Sequence, residues 1–341
     1  MRIAVDAMGG DFAPREIVKG AVEAALGFPQ VTKIFLVGDV EAIKQELARV
    51  PNVPAKIEIR HASEVIGMDE PAAQGVRRKK DSSIVRAVDL VKSGEADAVV
   101  SAGNTGAVVA AATLNLGRLK GVDRPAIAAV MPTQADRPIV LLDAGANVDC
   151  DPQWLCQFAI MGSVYSECVI GCVRPVVGLM SIGGEDIKGN EMTKKAFSLM
   201  SEAPIHFRGN VEGHDLFKGE TDVVVCDGFV GNIVLKTVES VAHAIGHWLR
   251  QEFKKTAIRL LGAILLHGAL KSMKRRMDPE LYGGAPLLGV NGVCIITHGA
   301  SSSLAIYHAV RVACEAVGHH LNQHICEKIA LSKQVNGVEA Q

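Results

Sequence analysis

Short apolar runs alternate with segments of helical period along most of the chain. The runs stand at Ile3–Val5, Lys33–Val37, Ile57–His61, Ala98–Ser101, Ala126–Pro132, Ile139–Asp143, Val176–Ser181, Val223–Cys226 and Val293–Thr297. Several are apolar at every position, as a strand buried between two helix layers must be. Between them, apolar residues recur three and four apart, which predicts helices over Pro14–Ala25, Val40–Arg49, Ser82–Lys92, Gly106–Leu116, Pro152–Cys168, Asn190–Met200, Gly231–Gln251 and Ser301–Val317. This alternation predicts a three-layer α/β/α Rossmann-like fold with a mostly parallel sheet. From Val230 to Met277 the rhythm changes to nearly continuous helix without a strand. The expected organisation is one large domain over residues 1–332, a protruding helical excursion at 240–280 within it, and a polar tail at 333–341.

Glycine- and asparagine-rich turns follow the apolar runs: Asp6–Asp11, Ser101–Gly106, Asp143–Asn147, Gly183–Asn190 and Asp227–Asn232. A parallel sheet collects the carboxyl ends of its strands on one edge, where ligands bind at the starts of the following helices. Five such turns predict one large site built mainly from backbone amides, which suits an anion. Gly9 and Gly10 allow close backbone approach, or simply a tight turn. Gly103, Asn104 and Thr105 offer amides and a hydroxyl at a helix entrance; the competing role is a helix N-cap. Asn147 presents an amide to a ligand or closes an Asx turn. Lys188, at the mouth of a helix, is the leading catalytic candidate, since a cation there offsets a phosphate or a developing oxyanion. Asn232, in the first turn of a long helix, is placed to polarise a carbonyl or to cap. His298 ends a strand as a proton relay, a hydrogen-bonding wall or a structural histidine.

The 341 residues are 48% hydrophobic with a net charge of −1 and only 4% aromatic, which argues against nucleic acid as a partner. Eight cysteines without a C-x-x-C pair, and a strand-like opening in place of a signal peptide, predict a reduced cytoplasmic protein. Cys226 is a conceivable acyl-accepting thiolate, but its apolar strand favours an inert buried thiol. Glu239, His243 and His247 share a helix face with too few ligands for a metal, so neither metal nor cofactor is expected. Arg77, Arg78, Lys79 and Lys80 form a dense basic run, suited to docking an acidic partner or to a solvated loop. The apolar stretch Ala257–Leu270 is bracketed by lysines and arginines and is too short to span a bilayer. Leu260, Leu261, Ile264 and Leu265 there fit either an anionic lipid surface or a homodimer interface, and the two are compatible.

Taken in order, these motifs resemble one family, the bacterial phosphate acyltransferases, or acyl-acyl-carrier-protein:phosphate transacylases. The resemblance spans nearly the whole chain: DAMGGD at 6–11, RRKKDSS at 77–83, SAGNTGA at 101–107, LDAGAN at 142–147, GGEDIKGNE at 183–191, CDGFVGN at 226–232, YGGAPLLGVNG at 282–292 and HGAS at 298–301. It implies a homodimer of isocitrate/isopropylmalate-dehydrogenase-like fold. It implies transfer of a long acyl chain from the thioester of acyl carrier protein to inorganic phosphate. The acyl phosphate then feeds a membrane glycerol 3-phosphate acyltransferase in phospholipid synthesis, with peripheral membrane association. The family's lysine and asparagine map onto Lys188 and Asn232, and the other glycine-rich turns onto substrate binding. The segment Asp69–Val76 departs from the family by being less apolar. Two other readings are a membrane-surface scaffold working through the Ala257–Leu270 tip, and a nicotinamide-dependent dehydrogenase of related fold. The latter lacks a G-x-G-x-x-G turn with a downstream acid after the first strand.

Overall fold

A computed structural model describes residues 1–135 and 137–335. Residues 336–341, most of the predicted polar tail, lie outside the described residues. The strands are β1 (Arg2–Asp6), β2 (Lys33–Gly38), β3 (Ile57–His61), β4 (Ala98–Ser101), β5 (Ala126–Met131), β6 (Ile139–Leu142), β7 (Val176–Met180), β8 (His206–Val211), β9 (Val223–Val225), β10 (Ala285–Leu288) and β11 (Val293–Ile296). The helices are α1 (Arg15–Gly27), α2 (Val40–Leu47), α3 (Ala72–Arg78), α4 (Ser83–Lys92), α5 (Thr105–Ala111), α6 (Pro152–Tyr165), α7 (Glu191–Glu202), α8 (Gly228–Lys254), α9 (Ala257–Leu265), α10 (His267–Arg276), α11 (Ser303–Gly318) and α12 (Leu321–Val335).

The strands form one sheet in the order β3-β2-β1-β4-β11-β10-β5-β6-β9-β7-β8. Alternate residues of each strand feed opposite faces. Ala4, Val99, Leu141 and Val224 pack with α4, α5 and the start of α8 on one side. Val140, Leu142, Val223 and Val225 pack under α6 and α12, and Ile3, Val5, Ala98 and Val100 under α1 and α11, on the other. The period-2 splitting of wholly apolar strands between two helix layers gives the expected α/β/α arrangement.

Two strands and two helices were not expected. β10 carries Pro286, which cannot donate to the ladder, after Gly283 and Gly284, so its sequence reads as a turn. β8 is an edge strand of mixed character with Gly209 at φ +103° beside a register shift. α3 follows Pro71 and contains Gly75, which hides its helical period. α12 buries Leu321, Ile325 and Ile329, one stripe four residues apart.

The sheet directions correct one expectation. β10 runs antiparallel to β11 and to β5, and β5 runs antiparallel to β6. The parallel block β3-β2-β1-β4-β11 therefore points opposite to the parallel block β6-β9-β7-β8. The turns do not gather on one edge. Those after β1, β4 and β11 lie at one edge, and those after β6, β7 and β9 at the other.

Candidate active site

At the first edge, the turn amides are already occupied. The Asp6 carboxylate is buried and accepts Ser101 Oγ at 2.7 Å and the Met8 N–H at 3.3 Å. Burial pushes this carboxyl above its ordinary value, against the hydrogen bonds from Ser83, Ser101, Met8 and Gly9. A Cβ on Gly9 would meet Asp6 Oδ2 at 2.6 Å and Gly103 N at 2.7 Å, so these glycines serve backbone contact. Gly10, at φ +102°, is held against Ala102 and Gly299. Asn104 caps α5 by accepting from Ala107 N at 3.1 Å. Its Nδ2 faces the carbonyls of Gly67, Met68 and Glu70 at 3.2, 2.8 and 3.1 Å, pinning the loop before α3. Thr105 is exposed at the first position of α5. His298 is exposed; its Nδ1 accepts from Ala300 N at 3.1 Å, so the neutral ring carries its proton on Nε2.

At the second edge, Asp143 plays the same internal role. Its Oδ1 accepts from the N–H groups of Ile127, Ala146 and Gly145 at 3.0, 3.0 and 3.2 Å. Its Oδ2 accepts from Asn147 N at 2.7 Å and Asn147 Nδ2 at 2.9 Å. Burial pushes the Asp143 carboxyl up, and the Ala146, Ile127 and Asn147 donors oppose the rise. Asn147 Nδ2 also donates to Pro125 O at 2.7 Å. Both amide hydrogens are thus committed, and Asn147 closes an Asx-type turn in place of reaching outward to an anion.

The start of α8 seats directly on this turn. Gly231 approaches so closely that a Cβ there would stand 1.9 Å from Asp143 O, and Gly228 would meet Asn147 O at 2.5 Å. Asp227 caps the helix by accepting from Val230 N at 2.8 Å. Asn232 is then free of the capping duty; it is exposed and lies against Gly145. β7 neighbours β9, so the loop after β7, which carries Lys188, emerges beside the start of α8. Lys188 is exposed, and its N–H donates to Glu185 O at 2.9 Å. Asn210 Nδ2, from β8, donates to the same carbonyl at 2.8 Å. Asn210 Oδ1 and Ser181 Oγ are buried beneath this loop and find no hydrogen-bond partner among the described residues.

The remaining candidates fall elsewhere. β4 and β9 are five strands apart, about 24 Å at ~4.8 Å per strand, so Gly9, Gly10, Gly103, Asn104, Thr105 and His298 are remote from Lys188 and Asn232. Cys226 lies beneath the α8 start, donating toward Asp143 O at 3.6 Å. Burial, then the Asp227 and Asp143 charges, push its thiol well above the ordinary value, and Cys150 is pushed up to about 12. Neither is a nucleophile near neutral pH. Arg77 and Arg78 close α3 and are exposed with Lys80, whereas Lys79 is tied to Glu70 Oε1 at 2.5 Å and Val65 O at 2.7 Å. Leu260, Leu261, Ile264 and Leu265 all lie exposed on α9. Among the described residues no three His, Cys, Asp or Glu side chains converge as metal ligands, and no helix is long and apolar enough to cross a membrane. Glu239 pairs instead with Lys236 at 3.1 Å.

A family model described as fatty acid synthesis protein matches residues 1–324. A phosphate acyltransferase of Pelotomaculum thermopropionicum is 53% identical over 329 residues, covering 96% of this chain and 95% of the relative. The chain belongs to the phosphate acyltransferase family. It is an acyltransferase. A second member, from Desulfitobacterium hafniense, is 54% identical over 318 residues, covering 93% of this chain and 94% of the relative. Among solved structures, a phosphotransacetylase from Streptococcus pyogenes superposes with a TM-score of 0.63 at 18% identity, covering 93% of this chain and 94% of the other; at that identity the likeness is one of fold.

Two structural features of this family member had no sequence expectation. Asp143 was read only as part of a glycine turn, although an acid opening D-A-G-A-N is the residue type that gathers successive amides. Asn210 sits in the unexpected edge strand, so nothing in its local sequence marked it.

Proposed function

We propose that this chain transfers a long fatty acyl group from the thioester of acyl carrier protein to inorganic phosphate, releasing acyl phosphate for phospholipid synthesis. The observation that supports this reading is that the Lys188 loop and the start of α8, which carries Asn232, follow the adjacent strands β7 and β9 at one sheet edge, in a member of the phosphate acyltransferase family. Phosphate is anionic at neutral pH and needs little activation. Its oxygen attacks the thioester carbonyl, forming a C–O bond; the C–S bond then breaks, and the carrier thiolate leaves and takes a proton from water. The enzyme must supply placement and charge compensation. Holding both reactants contributes ~7–11 kcal/mol. In this reading Lys188 offsets the phosphate charge, and Asn232 donates its amide to the carbonyl oxygen, worth roughly 3 kcal/mol as that oxygen becomes anionic. Gly9, Gly10, Gly103, Asn104, Thr105, Asn147 and His298 contribute through the architecture of their turns, their donors being largely engaged within the chain. No acyl-enzyme is needed, in keeping with the high thiol pKa of Cys226.

The acidic carrier docks, in the same reading, on Arg77, Arg78 and Lys80, with Lys79 fixing the helix that presents them. An exposed apolar stripe further along α8, including Val241, Ile245 and Trp248, supports a homodimer. The exposed α9 residues, rimmed by Lys271, Lys274 and Arg275, support peripheral attachment to anionic lipid near a membrane glycerol 3-phosphate acyltransferase. Purified protein, acyl carrier protein thioester and phosphate test the catalytic assignment. Lys188→Ala and Asn232→Ala are each expected to slow acyl phosphate formation by about 10²–10³-fold. Unchanged rates in both variants remove the assignment.

A further inference from the structure

The edge that carries Lys188 and Asn232 is ringed by exposed apolar side chains. Ile182 and Ile187, on the Lys188 loop itself, are 82% and 77% exposed. Phe229 is 57% exposed and Ile233 49%, and they lie three residues before and one after Asn232. On a helix, 232 and 233 are the i+3 and i+4 neighbours of 229, so the ring of Phe229 stands beside both the Asn232 amide and Ile233. Val148, on the turn after β6, is 62% exposed. β6, β9 and β7 are consecutive in the sheet, so these three loops emerge side by side. Isoleucines flanking a lysine on a glycine-flanked loop fill no part of the core, and nothing in the fold requires them to be apolar.

We infer that this rim is the acyl subsite: Ile182, Ile187, Phe229, Ile233 and Val148 receive the alkyl chain of the donor while Lys188 and Asn232 act at its first carbon. The inference rests on the acyl-transfer reading. An acyl thioester places an alkyl chain immediately beside its carbonyl, so residues that act on the carbonyl need an apolar surface within a few ångströms. This edge supplies one, on the same loops as the polar pair. The other edge also exposes apolar side chains, Phe12, Val65 and Met68, but they surround the Asp6 turn and its void of about 10 Å³, remote from Lys188 and Asn232. A chain lying across Ile182 and Ile187 also shields the reacting centre from water, which matters for a product as hydrolysable as an acyl phosphate.

The test compares one carrier protein loaded with butyryl or with dodecanoyl groups, so that the protein–protein contacts are constant. In an Ile182→Ser/Ile187→Ser double variant, the ratio of dodecanoyl to butyryl kcat/KM is expected to fall by about tenfold or more. An Ile182→Leu/Ile187→Leu variant is expected to restore most of that ratio. Equal losses on both donors would mean that the loop matters only as a support for Lys188, and would overturn the inference. So would an unchanged ratio, including one accompanied by a change of mass in solution, which would give the rim to a second copy of the chain. If the wild-type protein forms no acyl phosphate from either donor, the acyl-transfer reading itself falls, a result distinct from any change in chain-length preference.

Discussion

Asp143→Asn removes one anionic oxygen from a carboxylate that accepts five N–H hydrogen bonds. The amide oxygen is best kept on the side of Ile127, Gly145 and Ala146, where three donors converge. The new NH₂ then faces Asn147 N and Asn147 Nδ2, and two hydrogen bonds to a charged acceptor are lost. At roughly 1.5–3 kcal/mol each this costs about 3–6 kcal/mol. Part is recovered because a buried charge is removed, leaving a net loss of about 2–4 kcal/mol. The loss falls on the turn that seats α8, since Gly231 packs directly on Asp143 O. Urea unfolding at neutral pH, followed by Trp154 and Trp248 fluorescence, measures it as a lower midpoint with an unchanged slope. The variant is also expected to transfer acyl groups more slowly under conditions where it remains folded, because Asn232 is displaced with the helix start. A loss below about 1 kcal/mol, or full activity in a destabilised protein, would refute the view that Asp143 organises this edge.

Other perturbations separate the parts of the site. Gly231→Ala forces the α8 start away from Asp143 O and is expected to lower the transfer rate about as much as Asn232→Ala in the same assay. The raised thiol pKa values of Cys150 and Cys226 mean that thiolate forms only well above pH 8, so iodoacetamide at pH 8 should leave both unlabelled in the folded protein; rapid labelling of Cys226 would restore a covalent route. Asn210→Leu removes the hydrogen bond to Glu185 O together with the unpaired Oδ1, and is expected to lower kcat more than the KM for phosphate changes, with Asn210→Gln recovering less than half; an equal effect on both parameters would make Asn210 part of the phosphate site. Arg77→Ala/Lys80→Ala is expected to raise the KM for the acyl carrier protein donor several-fold, an effect that shrinks as salt rises; a salt-independent KM would remove the docking assignment.

The three layers were legible because the core strands are apolar on both faces, and alternate residues such as Ala4 and Val5 do enter different cores. Strand direction was not legible. An apolar run reads the same in parallel and antiparallel pairing, and of the two strands that pair antiparallel on both sides, β10 and β5, β10 is disguised by Pro286 and two preceding glycines. The turns therefore read as one site, whereas the fold divides them between two edges. Their residue types pointed to amide-rich cradles for a bound anion; in the turns after β1 and β6 the donors converge instead on the chain's own carboxylates, Asp6 and Asp143. Sequence spacing reveals that amides converge without revealing what they converge on. Lys188 and Asn232 stood out for a different reason: one lies on the turn after an apolar run and the other in the first turn of the helix after another, and the structure makes those two strands, β7 and β9, neighbours.

Direct attack by phosphate is the central claim, and its most direct measurement follows carrier thiol release from acyl carrier protein thioester with and without phosphate, while hydroxylamine traps acyl phosphate as hydroxamate. The account predicts thiol release that requires phosphate and matches hydroxamate formation one for one. Thiol release that proceeds equally without phosphate, or an acyl group found covalently on the protein, would contradict it.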